Sequence, residues 1–336
     1  LKKHHSKSWE LKHKKRRELK RAQRKLLSKI KRQKRNRGTQ PVHGSSIRPR
    51  PQREKIEIMT PQRLDPIEQS DETVKACNLI REYRESGGKE IFVDMSSMKE
   101  FTLAGVIYLT GAIETKNNHS KKIPVSTIEG NFPRDKSVAS EFSKSGFFRN
   151  FEVNENLLPQ PKASWTRQRE RKVESRKAAM LVEFALENDV HMTQKQKEAI
   201  WQNLVECMTN THNDAQGRDW NFEDGNPEQW IAGVMCSDGK AQFAFIDMGV
   251  GICQSVQADD YMTKIRNTIS GYGADKLVRD AFEGKIASST GKPGRGLGLP
   301  RMRRDAQSGN LQNLKIRTGE VEGDIVEMKF RKTRET

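Results

Sequence analysis

Glu206 and Asn210 stand four residues apart in the run Glu206-Cys-Met-Thr-Asn210-Thr-His-Asn213. On a helix that spacing puts both side chains on one face. A carboxylate beside an amide oxygen can hold a water and a Mg²⁺ ion side by side, since magnesium prefers hard oxygen ligands and keeps several waters. The same pair is also common on solvated helix faces. A second segment, Phe245-Ile246-Asp247-Met248-Gly249-Val250-Gly251, is an apolar strand ending in Asp and two spaced glycines. A carboxylate at a strand end can accept a hydrogen bond from an adenine amino group, and the glycines let backbone approach a flat base or a phosphate. Read alone, it is equally a strand followed by a tight turn. A third segment runs Ser288-Ser289-Thr290-Gly291-Lys292-Pro293-Gly294-Arg295-Gly296-Leu297-Gly298-Leu299-Pro300, with a helix expected from Arg301. Gly-rich backbone opening a helix presents N–H groups and a positive dipole end to phosphates, and Lys292 and Arg295 add charge. The spacing is neither that of a Walker A loop nor that of a dinucleotide fingerprint.

Taken in order, the three segments resemble the N box, G1 box and G2 box of the GHKL (histidine kinase-like) ATPase superfamily. The resemblance spans roughly residues 175–330. It implies an ATP site with Mg²⁺, held between helices under a lid on a mixed α/β sandwich. Carried over residue by residue, Glu206 polarises the attacking water and Asn210 is the Mg²⁺ ligand. Asn213 faces the nucleotide, Asp247 reads adenine, and Gly249 and Gly251 line the base pocket. Gly294, Gly296 and Gly298 wrap the phosphates, with Arg295 and Leu297 between them, while Ser289, Thr290 and Lys292 belong to the lid. The gyrase and chaperone pattern has Asp three residues after the Asn; here that place is Asn213, which is closer to the histidine-kinase branch.

Several elements must position these residues. Arg176–Asn188 and Thr193–Asp214 carry apolar residues at helical spacing, among them Ile200, Leu204 and Met208. Ile231–Met235 and Ala241–Asp247 read as paired strands turning at Ser237-Asp238-Gly239, and Asn313–Thr318 with Asp324–Phe330 as a closing hairpin. Upstream, Val74–Tyr83, Leu103–Thr115 and Val138–Phe142 read as helices, while Glu90–Asp94 and Ile123–Ile128 read as strands. This alternation makes a small sheet covered by helices. Ile91-Phe92-Val93-Asp94-Met95-Ser96-Ser97 followed by Phe101-Thr102-Leu103-Ala104-Gly105 resembles a STAS domain, which implies recognition of a partner protein or small ligand. Where a GHKL kinase phosphorylates its STAS partner, a Ser or Thr stands two residues before the Gly. That position here is Leu103, which has no hydroxyl. The expected organisation is a basic arm and Pro/Gly linker over 1–66, a STAS-like domain over 67–155, a linker over 156–175 and an ATP-binding domain over 176–336. The fold class is α/β, an α+β sandwich.

The formal net charge of +18 is local. Residues 1–40 hold 18 Lys+Arg against 2 acids, and the other residues hold 44 against 42. A basic arm of this kind, with Leu19, Ala22, Leu26 and Ile30 as a thin apolar stripe, suits polyanions, and nucleic acid is one partner that residues 1–37 could bind. An anionic membrane surface or a solvated charge run would carry the same composition. Four dispersed cysteines without zinc spacing are expected to be free thiols. No apolar run spans a bilayer, and with free thiols the chain is expected in a cytoplasm, by its architecture a bacterial one. No His has the sequence surroundings of a phosphoacceptor, so an autophosphorylating sensor kinase is not expected. The leading expectation is an ATP-driven conformational switch or ATPase within a multi-protein system. The alternatives are a protein kinase acting on a separate partner and a nucleic-acid-binding scaffold with a vestigial nucleotide site.

Overall fold

A computed structural model of the chain describes residues 53–68, 70–114, 126–150, 158–168, 172–213, 230–247, 249, 251–253, 273–286 and 296–333. Of Ser70, Asn150 and Asn213 it describes the backbone alone. The basic arm of residues 1–37 lies outside the described residues, as do Ser289, Thr290, Lys292, Gly294 and Arg295. The chain divides into two units, Leu1–Gln52 and Arg53–Thr336. The second is a mixed α/β structure with parallel and antiparallel sheets.

Its N-terminal lobe is built on a parallel sheet of β1 (Lys55–Met59), β3 (Glu90–Asp94) and β5 (Thr127–Gly130), in that order. Parallel neighbours need crossovers, and these carry α1 (Ser70–Ser86) and α2 (Leu103–Glu114). The two-residue strands β2 (Arg63–Leu64) and β4 (Glu100–Phe101) pair beside them. α3 (Lys136–Lys144) starts at Asp135, whose side chain caps Ser137 N and Val138 N, the standard use of an N-cap carboxylate. Ile91, Val93, Val106, Leu109 and Phe142 meet in this lobe's core.

The C-terminal lobe has two antiparallel sheets. β6 (Ala163–Gln168), β7 (Trp230–Ser237) and β8 (Lys240–Asp247) form one, with β7 central. Alternation sorts the side chains of β7 and β8 onto two faces. Trp230, Ala232, Val234, Phe243 and Phe245 face α4 (Ser175–Glu187) and α5 (Gln194–Asn213), burying Leu181, Leu204 and Met208. Ile231, Ala244 and Ile246 face the opposite way and pack on Leu103 and Ile107 of α2. α5 opens with a reciprocal cap, in which Gln196 N donates to Thr193 Oγ1 at 3.2 Å and Thr193 N to Gln196 Oε1 at 2.9 Å. The second sheet is a meander of β9 (Lys315–Thr318), β10 (Val321–Asp324) and β11 (Lys329–Lys332), rather than a single hairpin. α6 (Ala274–Phe282) and α7 (Gly298–Gln307) pack on it around Val278, Phe282, Met302 and Phe330.

Strands β1 and β2 fall inside residues 38–66, and β6 inside 156–175, both stretches expected as linkers. Pro61 and Pro66 bracket short strands here instead of excluding them: Ile58 and Leu64 are buried, and β1 is fixed by pairing with β3. β6 follows Pro159 and Pro161 and is held by its ladder with β7. All four cysteines are free. Among the described residues no helix is long and apolar enough to cross a membrane.

Candidate functional site

The three segments converge beside α5. Leu204 and Met208 turn one face of this helix to the β6–β8 sheet, and Cys207 turns another to the core under α6 and α7. Glu206 lies next to Cys207 on the side away from Leu204 and Met208 and is half-buried. Its carboxylate sits directly at the first residue of α7: a Cβ added to Gly298 would stand 1.8 Å from Glu206 Oε1 and 2.2 Å from Cδ. Only a glycine leaves room for that approach. Leu297, the residue that opens α7, makes no side-chain cap, so the positive dipole end of the helix faces the Glu206 carboxylate. Asn203, one turn before Glu206, fixes the helix pair by donating from Nδ2 to Asp305 Oδ2 at 2.7 Å.

Asp247 ends β8 with the parity of Phe243 and Phe245, so it points to the α5 side of the sheet. Gly249 N donates to Asp247 Oδ1 at 2.8 Å, closing the turn on the carboxylate itself. Asp247 keeps solvent access at the strand end, yet the surrounding protein thins its hydration. Burial therefore pushes its carboxyl above the usual range, and the Gly249 hydrogen bond pulls it partly back. Cys207 reports the same neighbourhood. Its thiol is pushed up to about 12 by burial and then by the Asp247 and Glu206 carboxylates, so it is an inert thiol wedged near two acids.

The turn after Asp247 closes on β9. Gly251 has φ 79°, and a Cβ there would stand 2.9 Å from Thr318 Oγ1. Thr318, buried at the end of β9, accepts a hydrogen bond from Ile252 N at 2.7 Å. Sequence reasoning missed Thr318. The only local trace is the Thr318-Gly319 pair at a strand end, with Gly319 also at positive φ.

Of the expected site residues, the structure thus brings Glu206 and Gly298 together and puts Asp247, Gly249 and Gly251 in one turn on the same side of the sheet. Asn210 lies one helical turn beyond Glu206 and is half-buried. Gly296, at φ 85°, and Leu297, 58% exposed, lead into α7. Among the described residues no group of three His, Cys, Asp or Glu side chains is gathered for a metal ion. A cleft of 370 Å³ between β6, α2 and α4, lined by Thr110, Trp165, Arg167 and Phe184, lies apart from these residues. Comparison of the chain with family models, curated proteins and solved structures finds no match.

Proposed function

We propose that residues 176–336 form a GHKL-type site that binds ATP with Mg²⁺ and works as a conformational switch, reset by hydrolysis. The observation that carries this reading is the meeting of Glu206 with Gly298. A carboxylate on one helix and the glycine-led start of another, from segments far apart in sequence, adjoin with Asp247 on the same side of the sheet. The residues present fit the ligand: the positive end of a glycine-led helix suits a phosphate, and Gly249 and Gly251 bring no side chain to the turn that a flat base would approach. Asn210 would hold a Mg²⁺ ion that arrives with the phosphates, and the ion would offset their negative charge. When bound, the nucleotide supplies the phosphoanhydride whose cleavage resets the switch.

The chain's own residues do the rest. Asp247 Oδ2, which takes no hydrogen bond among the described residues, accepts one from an exocyclic amino group. Glu206 orients a water and takes its proton. The amides opening α7 hold phosphate oxygens, and Gly296 leaves the backbone that leads to them without a side chain. The N-terminal lobe, STAS-like in sequence, is the partner of the switch.

Mg-ATP binding and phosphate release, measured in the intact chain and in two variants, test this. Asp247→Ala removes a hydrogen bond to a charged acceptor, about 1.5–3 kcal/mol, and weakens binding at least tenfold. Glu206→Ala keeps binding and lowers turnover by roughly 10²–10⁴. Binding without turnover in any form would redirect the reading to a kinase that awaits a separate acceptor. A folded chain that does not bind at all would end it and leave the basic arm as the functional feature.

A further inference from the structure

Strands β8 and β9 each show one face to the candidate site and the other to the N-terminal lobe. On β8, Phe243, Phe245 and Asp247 face α5, while Gln242, Ala244 and Ile246 face α2. Gln242 Oε1 accepts the amide of Leu103 at 3.1 Å. Leu103 N is the first amide of α2, a donor with no partner inside its own helix, so the sheet of one lobe caps a helix of the other. Leu103 and Ile107 are fully buried and pack with Ile231, Ala244 and Ile246, the last adjacent to Asp247. On β9, Lys315 pairs with Glu68, and Arg317 Nη1 donates to the carbonyl of Pro66 at 3.5 Å. The next residue, Thr318, turns the other way and holds Ile252 N in the turn after Asp247.

A β-strand is a stiff ribbon whose two faces cannot shift independently, because successive side chains hang from one backbone. Two such ribbons, both ending in groups that close the turn around Asp247, are gripped on their far faces by the same lobe. The grip is polar and partly exposed at Glu68–Lys315 and Gln242–Leu103, and apolar between them.

We propose that the N-terminal lobe senses the occupancy of the nucleotide site through β8 and β9, so that nucleotide binding and the lobe–lobe contact are thermodynamically coupled. The inference rests on the nucleotide reading above. It also gives a use to the face that ends at Leu103. Leu103 is fully buried against the C-terminal lobe, so that face is engaged within the chain.

Coupling is reciprocal: the factor by which nucleotide changes the contact equals the factor by which the contact changes nucleotide affinity. The test uses the full chain with Mg-ATP. Amide exchange at Glu68 and Leu103–Ile107, with and without saturating Mg-ATP, reads one direction. The Kd for Mg-ATP in Gln242→Ala and Glu68→Ala, with melting curves to establish folding, reads the other. The expected result is changed protection at both segments and a Kd shift of roughly fivefold or more. Unchanged exchange together with unchanged Kd in folded variants would overturn the proposal. If a variant fails to fold, exchange in the intact chain decides alone. Failure of the underlying reading is separate, because it shows in the intact chain as no binding of Mg-ATP before any contact is broken.

Discussion

Gly298 has no side chain to lose, yet its single missing methyl decides where Glu206 can be. In Gly298→Ala the new Cβ would stand 1.8 Å from Oε1, 2.2 Å from Cδ and 2.5 Å from Cγ of Glu206. These are the outer atoms of a flexible side chain, which yields by rotating away rather than by moving α5. Alanine is also the better helix former, by about 1 kcal/mol in a helix interior. Gly298→Ala is therefore expected to melt at or above the temperature of the parent and to keep Mg-ATP binding within a few-fold. Its phosphate release falls on the order of 100-fold, because the carboxylate no longer reaches its water. Thermal melts and steady-state phosphate assays read both effects, and an unchanged rate would remove Glu206 from the chemistry. The contrast with Thr318 shows what is legible at this scale. Glu206, Asn210, Asp247 and the glycines carry local signatures of spacing or backbone freedom. Thr318 works by accepting an amide from a residue 66 positions away, and no local pattern announces such a contact.

The long elements were readable because each buries one stripe. Leu181, Val182 and Ala185 on α4, and Ile200, Leu204 and Met208 on α5, recur at helical spacing and meet the β7–β8 face whose own apolar residues alternate. β1, β2 and β6 were not readable. They are short, flanked by proline, and stabilised by partners that lie far along the chain: β6 pairs with β7 across some sixty residues, and β1 with β3. β8 reads in sequence as one of a pair of strands, with nothing to say that another lobe covers its face toward α2. The pairing of α5 with α7 was hidden for the same reason, and it can be tested directly. Asn203 is buried and donates to Asp305 Oδ2 and to Ala199 O, both at 2.7 Å. Asn203→Asp sets two carboxylates against each other and is expected to cost roughly 1–3 kcal/mol. In the double variant N203D/D305N the carboxylate and the amide exchange places, so a donor again faces an acceptor across the helices. Urea denaturation of the four proteins of the cycle should give a coupling of about 1 kcal/mol or more, outside the usual error of additivity. Recovery stays incomplete, because a carboxylate at position 203 cannot donate to Ala199 O. Simple additivity of the two substitutions would mean that the pair does not hold α7 against α5.

At the scale of the whole molecule, charge and structure divide at nearly the same place. Residues 1–40 hold 18 Lys+Arg and 2 acids, and the unit that carries the candidate site begins at Arg53. Residues 41–336 hold 44 Lys+Arg against 42 acids, a nearly neutral balance, and the two lobes pair Glu114 with Arg167 and Glu68 with Lys315. Binding to a polyanion should therefore belong to the arm. Each phosphate neutralised releases condensed counterions, and the affinity for duplex falls with a slope of about −0.9 per phosphate on a log–log salt plot. An arm that engages five phosphates would lose on the order of 10²–10³ in affinity between 50 and 200 mM salt. Trp9 is the arm's one aromatic residue, so stacking on bases contributes little and unrelated sequences should bind alike. Fluorescence anisotropy with two unrelated duplexes across a salt series, on the full chain and on a chain beginning at Arg53, measures all of this. A steep slope, similar affinities for both duplexes and loss of binding in the shorter chain are the expected results. Binding that persists in the shorter chain would move the polyanion surface onto the folded unit, where the exposed Arg301 and Arg304 of α7 adjoin the candidate site and a polyanion would compete with Mg-ATP.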